Sequence, residues 1–432
     1  MSDASVIEYL YGLQKHGIKL GLETMRVLLD RVGRPQSSLQ VLHVGGTNGK
    51  GSTASMAAAV LQRAGRRVGL YTSPHLVDFR ERIRVNGEMI PEDRVEALLA
   101  RLRGVLTDDL HPTFFEMTTA LAFLHFAESA VDVAVLEVGL GGRFDATNVV
   151  AQPLACAITT IGMDHQEYLG TTEEAIAFEK GGIIKPCVPV VIGRMGQEAE
   201  QVLSRLAKDR SAPLWRLGRE FSLERARDGR LVYRGSTHVI EGVECGLAGR
   251  HQWDNAACAL ALLEAADQRG MPLDEGAVLE GLRTVSWEGR LETIDEAPHV
   301  VLDGAHNPAA AEVLARYLTD YAVQHPDSRI ILVWGMMRDK DHRGFITPLL
   351  PVVSEIVLTQ AALARSATVH ELRAVLDEWS GPVQEAMLPT DAVALARGRA
   401  MPGDLICITG SLMLLGDIKA AIRGCDLSPI RG

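Results

Sequence analysis

The sequence predicts an α/β protein with a larger N-terminal domain built on a mostly parallel sheet and a smaller, Rossmann-like C-terminal domain. Short apolar runs, typical of strands buried on both faces, alternate with helical patterns along the chain. A glycine-rich loop with a lysine follows the first of these runs, and the alternation starts again after residues 286–292. We therefore expect two domains, residues 1–288 and 289–432.

The N-terminal domain begins, by pattern, with two short helices that lead into the first strand. The helices are expected over 3–15 and 22–33, and the strand over 39–44. The later elements are a helix to Ala64, a strand at 67–71, helices at 91–104 and 115–129, strands at 131–137 and 154–159, a helix at 171–184, a strand at 188–192, and helices at 251–268 and 274–284. Short alternating runs over 219–240, broken by Asp-Gly and Gly-Ser, predict a small antiparallel sheet.

The C-terminal domain follows the segment SWEGRLE at 286–292, which we interpret as a linker. Apolar strands are expected near 299–302, 329–334, 354–358 and 404–408, with helices between them and a last helix at 411–423. This repeated alternation predicts a second α/β unit.

Residues 45–52, GGTNGKGS, join the first strand to a helix and have the composition of a phosphate-binding loop. Glycines let backbone amides turn inward, a lysine reaches the phosphates, and a helix N-terminus favours negative charge. The strict pattern G-x-x-x-x-G-K-[ST] is not met, because Gly51 follows Lys50 where a hydroxyl would hold Mg²⁺. The metal ligand must therefore come from another loop, unlike in switch GTPases and transport ATPases.

Composition excludes several classes of protein. The chain has 432 residues, 47% of them hydrophobic and 23% charged, and a net charge of −11 without a basic block. Nucleic-acid and membrane-surface binding are therefore not expected. The six cysteines are widely spaced, and the N-terminus shows no signal peptide, so we expect a cytoplasmic protein with reduced thiols.

Polar residues follow the predicted strands of the first domain. Ser73 lies in YTSPHL at 71–76, where a plain turn followed by a solvated, charged loop is the simpler interpretation. Glu137 ends an apolar strand, and a metal ion, a basic partner, a helix cap or a buried ion pair would each explain it. His165 is a candidate metal ligand, although a lone histidine is more often structural. Lys180 could equally be a solvated lysine in the last turn of a helix.

In the second half, LDGAHNP at 302–308 again puts a carboxylate at the end of a strand. A helix that begins here accounts for both Asn307, as its N-cap, and Pro308, as its first residue. Asp303 and His306 do not, so both are candidate functional residues.

Taken together, the motifs resemble those of the folylpolyglutamate synthases and bifunctional dihydrofolate synthases of the Mur ligase superfamily. The similarity covers most of the chain and depends on the order of many segments. These are GTNGKGS at 46–52, YTSPHL at 71–76, ERIRVNGE at 81–88, FFEMTT at 114–119, EVGLGGRFDATN at 137–148, DHQEYLG at 164–170, FEKGGIIKP at 178–186, HQWDNA at 251–256, EGR at 288–290, LDGAHNP at 302–308 and TGSL at 409–412.

The resemblance implies a role for each matching residue. ATP phosphates would be bound by Asn48, Gly49, Lys50, Gly51 and Ser52, with Asn255, Arg290 and Asp303 reaching the nucleotide from the far side of a cleft. Two Mg²⁺ ions would be held by Ser73, Glu137 and His165, and a monovalent cation is a further candidate. Lys180 corresponds to a lysine that the family carries as a carbamate. The folate would be bound by Phe115, Glu116 and Arg82, and glutamate by His306 and Ser411. The catalytic residues would be Lys50, Lys180 and His306. Gly304 departs from many relatives, and we expect this to matter little.

The reaction so implied joins L-glutamate to a folate, and also to dihydropteroate, with ATP and through an acyl phosphate. Closure of two domains would exclude water from that intermediate. Three alternatives remain: a monofunctional folylpolyglutamate synthase, another Mur-type amide ligase, and a nucleotide-dependent switch. The absence of an N-K-x-D segment in the sequence argues against the switch. We expect a monomer whose partners are ATP, glutamate and a folate or dihydropteroate.

Overall fold

The computed structural model describes residues 9–10, 12–13, 21–227 and 229–428, and the chain divides into two compact units. The first comprises the described residues up to His75 with Phe79–Gly246 and Gln252–Ser286; the second comprises Leu76–Asp78, Leu247–His251 and the chain from Trp287 onward. The helix predicted over 3–15 lies outside the described residues except at 9–10 and 12–13.

A mixed sheet forms the centre of the first unit. Its strands are β1 (Val41–Gly45), β2 (Val68–Tyr71), β3 (Ile83–Val85), β4 (Glu88–Met89), β5 (Val133–Glu137), β6 (Ala155–Ile158), β7 (Val190–Ile192) and β8 (Leu214–Arg216). Their order is β4-β3-β2-β5-β1-β6-β7-β8, parallel except for the β2–β3 and β3–β4 pairs. Because β1 lies between β5 and β6, where the strand order reverses, the loop after β1 emerges where open α/β sheets bind ligands.

Helices connect these strands. They are α1 (Glu23–Arg31), α2 (Lys50–Arg63), α3 (Glu92–Gly104), α4 (Phe114–Glu128), α5 (Gln166–Leu169), α6 (Glu173–Lys180), α7 (Gln197–Asp209), α8 (His251–Asp267) and α9 (Glu275–Thr284). The helix predicted at 171–184 is shorter than expected, because α6 ends at Lys180 and a 3₁₀ turn, Gly181–Ile183, follows. Thr172 caps its start by accepting a hydrogen bond from Ala175 N.

The small antiparallel sheet predicted over 219–240 is confirmed. It has three strands, β9 (Ser222–Arg225), β10 (Leu231–Arg234) and β11 (Val239–Val243). Glu264 on α8 anchors it and is fully buried. Its carboxylate accepts hydrogen bonds from Tyr233 Oη at 2.7 Å and Thr237 Oγ1 at 2.8 Å. The small sheet is therefore attached to α8.

The second unit is built on another mixed sheet, in the order β12-β13-β17-β14-β15-β16. Its elements are β12 (Glu292–Glu296), β13 (His299–Leu302), α10 (Pro308–Gln324), β14 (Ile330–Trp334), α11 (His342–Ile346), β15 (Glu355–Leu358), α12 (Val369–Arg373), β16 (Val383–Glu385), α13 (Pro389–Arg399), β17 (Leu405–Thr409) and α14 (Leu412–Arg423). Helices α10–α12 pack on one face, and α13 and α14 on the other. The predicted α/β class is confirmed, whereas the edge strands β12 and β16 were not predicted, because both are polar and partly exposed.

Candidate active site

The loop between β1 and α2 has glycine where no other side chain fits. Gly49 has φ +84°, and a Cβ there would lie 2.2 Å from Asn255 Oδ1. A Cβ on Gly46 would lie 2.1 Å from Thr159 Oγ1. The two glycines therefore let the loop pack against α8 and against the end of β6.

Hydroxyl groups at the end of β6 fix the same loop. Asn48 N donates to Thr160 Oγ1 at 3.0 Å, and the Asn48 carbonyl accepts from Thr159 Oγ1 at 2.6 Å and Thr160 Oγ1 at 3.1 Å. Thr47 and Gly162 exchange two further hydrogen bonds, at 3.2 and 3.1 Å. The conformation of the loop is therefore determined by a neighbouring strand as well as by its glycines.

Lys50 and Ser52 begin α2 directly after the loop. Lys50 Nζ donates to the Thr47 carbonyl at 3.0 Å, which holds the ammonium over the loop. Ser52 is 1% exposed and Gly51 is buried. Backbone amides at the start of this 14-residue helix complete an anion-binding surface.

Asn255 is brought to the phosphate loop by α8. Its Nδ2 donates to Gln252 Oε1 at 2.9 Å, and its carbonyl accepts from Thr53 Oγ1 at 3.4 Å. Asn255 therefore lies beside Gly49 in the same unit, whereas the sequence interpretation put it on the far side of a cleft.

Glu137 and Ser73 come together at the carboxyl ends of β5 and β2. Glu137 is 5% exposed, and its Oε2 accepts a hydrogen bond from Ser73 N at 3.0 Å. The buried carboxylate and the neighbouring serine are oxygen donors, which Mg²⁺ prefers. The simpler interpretation of the following segment as a solvated loop is wrong for Glu81 and Arg82, which are 8% and 3% exposed.

His165 adopts a left-handed conformation, φ +49°, just before α5. Its Nε2 lies 3.8 Å from Asp164 Oδ2, and its side chain is 42% exposed. Within residues 9–10, 12–13, 21–227 and 229–428, no three His, Cys, Asp or Glu side chains are grouped as a metal site. A metal held by Glu137 and His165 would therefore need the Ser73 hydroxyl and oxygens of other kinds to complete its ligands.

Lys180 is buried against the phosphate loop. It is 5% exposed, and its Nζ donates to the Gly46 carbonyl at 3.0 Å. Burial, and secondarily the charge of Lys50, lowers the pKa of Lys180 to about 7, against the opposing effects of Asp164 and Asp145. The alternative of a solvated last-turn lysine is thus wrong.

The residues predicted to meet the folate surround the start of α4. The Phe115 ring lies against Gly139, where a Cβ would come within 2.3 Å of it. Glu116 forms a capping box with Thr113, accepting from Thr113 N at 2.8 Å and donating its own N–H to Thr113 Oγ1 at 3.2 Å. Arg82 Nε donates to His75 Nδ1 at 2.8 Å, and burial lowers the pKa of Arg82. Glu116 therefore has a structural role that its motif did not indicate.

In the second unit, Asp303 organises the turn that carries Arg290. Its two carboxylate oxygens accept from Ala305 N and Leu291 N, both at 3.0 Å. Arg290 Nη1 donates to the Gly289 carbonyl at 3.0 Å. A Cβ on Gly304 would lie 2.4 Å from both Arg290 Nη1 and Leu412 Cδ2, so this turn packs closely, and that the departure at Gly304 matters little stays a prediction.

His306 and Ser411 lie at the ends of β13 and β17, which are neighbouring parallel strands. His306 Nδ1 is 2.8 Å from the Gly304 carbonyl, and since a carbonyl only accepts, Nδ1 carries a proton. Ser411 is 3% exposed, and its Oγ accepts from Met413 N as the N-cap of α14. Asn307 caps α10 and Pro308 begins it, as predicted.

Two models of ligase domains match this chain: the Mur ligase middle domain over residues 44–263 and the Mur ligase, glutamate ligase domain over residues 289–412. The dihydrofolate synthase/folylpolyglutamate synthase of Bacillus subtilis is 35% identical in an alignment of 430 positions that covers 96% of this chain and 98% of that protein. The chain belongs to the dihydrofolate synthase/folylpolyglutamate synthase family of Mur ligases.

Solved structures of the family have the same fold. Escherichia coli FolC in complex with DHPP and ADP aligns with a TM-score of 0.88 and 32% identity over 98% of both chains. The bifunctional enzyme of Yersinia pestis, complexed with AMPPNP and Mn, aligns with a TM-score of 0.87 and 30% identity over 98% of both chains. The predicted resemblance to the family is therefore confirmed.

The family motifs did not reveal a buried chain of hydrogen bonds below the site. Asp145 accepts from Gly139 N at 3.0 Å, from Leu140 N at 2.9 Å and from the Thr147 hydroxyl. Since that hydroxyl gives its proton to Asp145, His43 Nε2–H donates to Thr147 Oγ1, at 2.8 Å. Complete burial lowers the pKa of His43 to about 3. A histidine within an otherwise apolar strand was the signal available in the sequence.

Proposed function

We propose that this chain is an ATP-dependent ligase that adds L-glutamate to tetrahydrofolates and to dihydropteroate. The observation that carries the proposal is the buried Lys180, hydrogen-bonded to the phosphate loop in a chain similar over 96% of its length to such a ligase. A phosphate loop alone would fit a nucleotide switch equally well. A second amine beside it, buried and with its pKa lowered to about 7, fits a site that binds metal ions and an activated carboxylate.

The reaction begins with transfer of the ATP γ-phosphoryl group to the substrate carboxylate, because a free carboxylate is a poor acyl donor. Backbone amides of the loop and of α2 orient the phosphates, and Lys50 compensates their negative charge. The amine of glutamate then attacks the acyl phosphate, and phosphate leaves. His306 and Ser411 are the residues we assign to glutamate, and Arg290 to the nucleotide.

Divalent metal ions would neutralise charge on the transferring oxygens. We assign two Mg²⁺ ions to Ser73, Glu137 and His165, and a monovalent cation is a further candidate. The neutral form of Lys180 can react with CO₂ to give a carbamate, and such an anion would hold or orient a metal ligand without the repulsion that an ammonium would cause.

The decisive experiment measures ADP release and folate products with and without glutamate. Purified protein is supplied with ATP, Mg²⁺, radiolabelled glutamate and either tetrahydrofolate or dihydropteroate. Ligase activity requires label in the product and ADP release that depends on glutamate. Glutamate-independent ADP release without a labelled product would favour the switch, and label from tetrahydrofolate alone would identify a monofunctional folylpolyglutamate synthase.

Two further expectations accompany the proposed function. We expect a monomer, which sedimentation measures directly, and a cytoplasmic protein. None of the helices within the described ranges is long and apolar enough to cross a membrane.

A further inference from the structure

The carboxyl edge of the sheet in the second unit contains polar side chains that are fully buried. Among the residues that the structure describes, no protein group forms a hydrogen bond with four of their polar atoms. These are Trp334 Nε1, Thr359 Oγ1, Ser366 Oγ and Thr409 Oγ1, each in a residue with no exposed surface. A polar group taken out of water without a new partner is strongly disfavoured, so this concentration at one edge requires an explanation.

Two of these groups lie side by side. Trp334 ends β14 and Thr409 ends β17, and the two residues are direct partners in this parallel pair of strands. Partners in such a pair have their side chains on the same face of the sheet. Trp334 packs with Leu332 and Cys407 in the core under α10–α12. The indole and the Thr409 hydroxyl therefore share this buried face.

The aromatic neighbour of Trp334 does not provide the missing acceptor. The Phe345 ring is nearly parallel to the indole, at 13°, with the centroids 6.2 Å apart. Because the Nε1–H bond lies in the indole plane, it does not point at the face of a parallel ring. An indole N–H only donates, whereas a threonine hydroxyl both donates and accepts. A water molecule that accepts from Nε1 and bonds to the hydroxyl satisfies both groups.

The same indole lies directly beneath the turn that carries Ser411. Gly410 has φ +105°, and a Cβ there would lie 2.7 Å from Trp334 Cδ1 and 3.0 Å from Nε1, so only glycine fits at this position. The N–H of Gly410 donates to the Ala305 carbonyl at 3.1 Å, and Ala305 directly precedes His306. The position of the indole therefore affects both turns whose residues we assign to glutamate.

We propose that a buried water molecule bridges Trp334 Nε1 and Thr409 Oγ1, and that Trp334 and Thr409 are positioning residues for the glutamate side of the site. The inference rests on the proposed function in one respect, the assignment of Ser411 and His306 to glutamate. Trp334 and Thr409 are fully buried, so they act through the backbone. The bridge fixes the edge of the indole, and the indole fixes Gly410 and the turn that follows it.

Thr409→Val tests the bridge, because valine keeps the shape of threonine and removes the hydroxyl. If the hydroxyl has a water partner, the water and the indole N–H lose a bond, and the melting temperature should fall by about 2–4 °C. If the hydroxyl is dry, removal of an unpaired polar group should raise the melting temperature, which would overturn the inference. Thr118→Val is the matched control, since Thr118 is also fully buried and its hydroxyl donates to the Phe115 carbonyl at 3.0 Å. Its melting temperature should fall.

A double-mutant cycle with Trp334→Phe shows whether the indole and the hydroxyl share one water molecule. Thr409→Val should lower the melting temperature less in the Trp334→Phe protein than in the wild type, and additive losses would overturn the bridge. In steady-state kinetics, each single variant should raise the KM for glutamate about fivefold and leave the Kd of ADP unchanged. An unchanged KM for glutamate, or an equal rise in both constants, would overturn the positioning role.

Crystallography of the wild-type protein tests the bridge without turnover. Electron density for a water molecule within about 3.2 Å of both Trp334 Nε1 and Thr409 Oγ1 is the expected result, and its absence in a well-ordered map would overturn the inference. Wild-type protein that shows this density but does not ligate glutamate refutes the proposed function alone. Active wild-type protein without the density refutes the bridge alone.

Discussion

Replacing Gly49 with alanine should weaken nucleotide binding at least tenfold. At φ +84° an alanine is strained by about 1–2 kcal/mol. The new Cβ would also lie 2.2 Å from Asn255 Oδ1 and 3.0 Å from its Cγ, so the amide must move and its hydrogen bond to Gln252 breaks, at about 0.5–1.5 kcal/mol. The two effects add to about 1.5–3.5 kcal/mol, and if this cost is borne by the nucleotide-bound state, affinity falls by more than tenfold, since tenfold corresponds to about 1.4 kcal/mol.

Gly65→Ala is the matched control for this prediction. Gly65 has φ +76°, and a Cβ added there would have nothing within 4 Å, so the substitution brings similar strain without the collision. The dissociation constant of ADP is measured by calorimetry for both variants, alongside their thermal unfolding. Equal affinities for the two variants would refute the reasoning, because the contact between the loop and α8 would then be unimportant for the nucleotide.

Four further predictions concern other parts of the site. Lys180→Ala should lose most activity and regain part of it with added short carboxylates, whereas rescue by amines would contradict a carbamate. The folded-state pKa of Lys180 is about 7, below its usual 10.5, so between these values the unfolded chain binds the proton more readily than the folded protein does. The unfolding free energy of the wild type should therefore rise relative to that of Lys180→Met as the pH is raised from 7 to 10.5. Urea titration in CO₂-free buffer measures this difference. Ser73→Ala should raise the Mg²⁺ concentration needed for activity severalfold without unfolding the protein, because the hydrogen bond from the backbone N–H to Glu137 remains. Ser52→Ala should mainly raise the KM for ATP. The reverse pattern would disprove the metal assignment. Gly304→Ala should raise the KM for ATP by displacing the guanidinium beside it, and Gly398→Ala, with open space around it, should leave that KM unchanged.

Much of the fold could be predicted because buried parallel strands are continuous apolar runs. The edge strands β12 and β16 were not predicted, because a half-exposed edge strand tolerates polar sequences such as ETIDE and VQE, which are not apolar runs. The phosphate loop was recognisable from its glycines and lysine. The hydroxyls of Thr159 and Thr160 that fix it lie more than 100 residues away, and contacts at that separation leave no local pattern.

The burial of Lys180 shows a second limit. A lysine in the last turn of a helix usually stabilises the helix dipole from solvent, and its own sequence neighbours gave no reason to expect otherwise. The Gly46 carbonyl that accepts its hydrogen bond is 134 residues away. Only the order of many motifs, through the family resemblance, suggested a functional role for this lysine.

The fully buried His43 has a consequence for work at acidic pH. With a folded-state pKa of about 3 and an ordinary value of 6.5, this imidazole takes up its proton far more readily in the unfolded chain. The free energy of unfolding therefore decreases as the pH falls from 6.5 toward 3, while the ring in folded molecules stays uncharged. Acid should reduce the number of competent molecules before it alters the hydrogen bond between His43 and Thr147 in those that survive. Activity lost in that range should return on neutralisation with its original Michaelis constants.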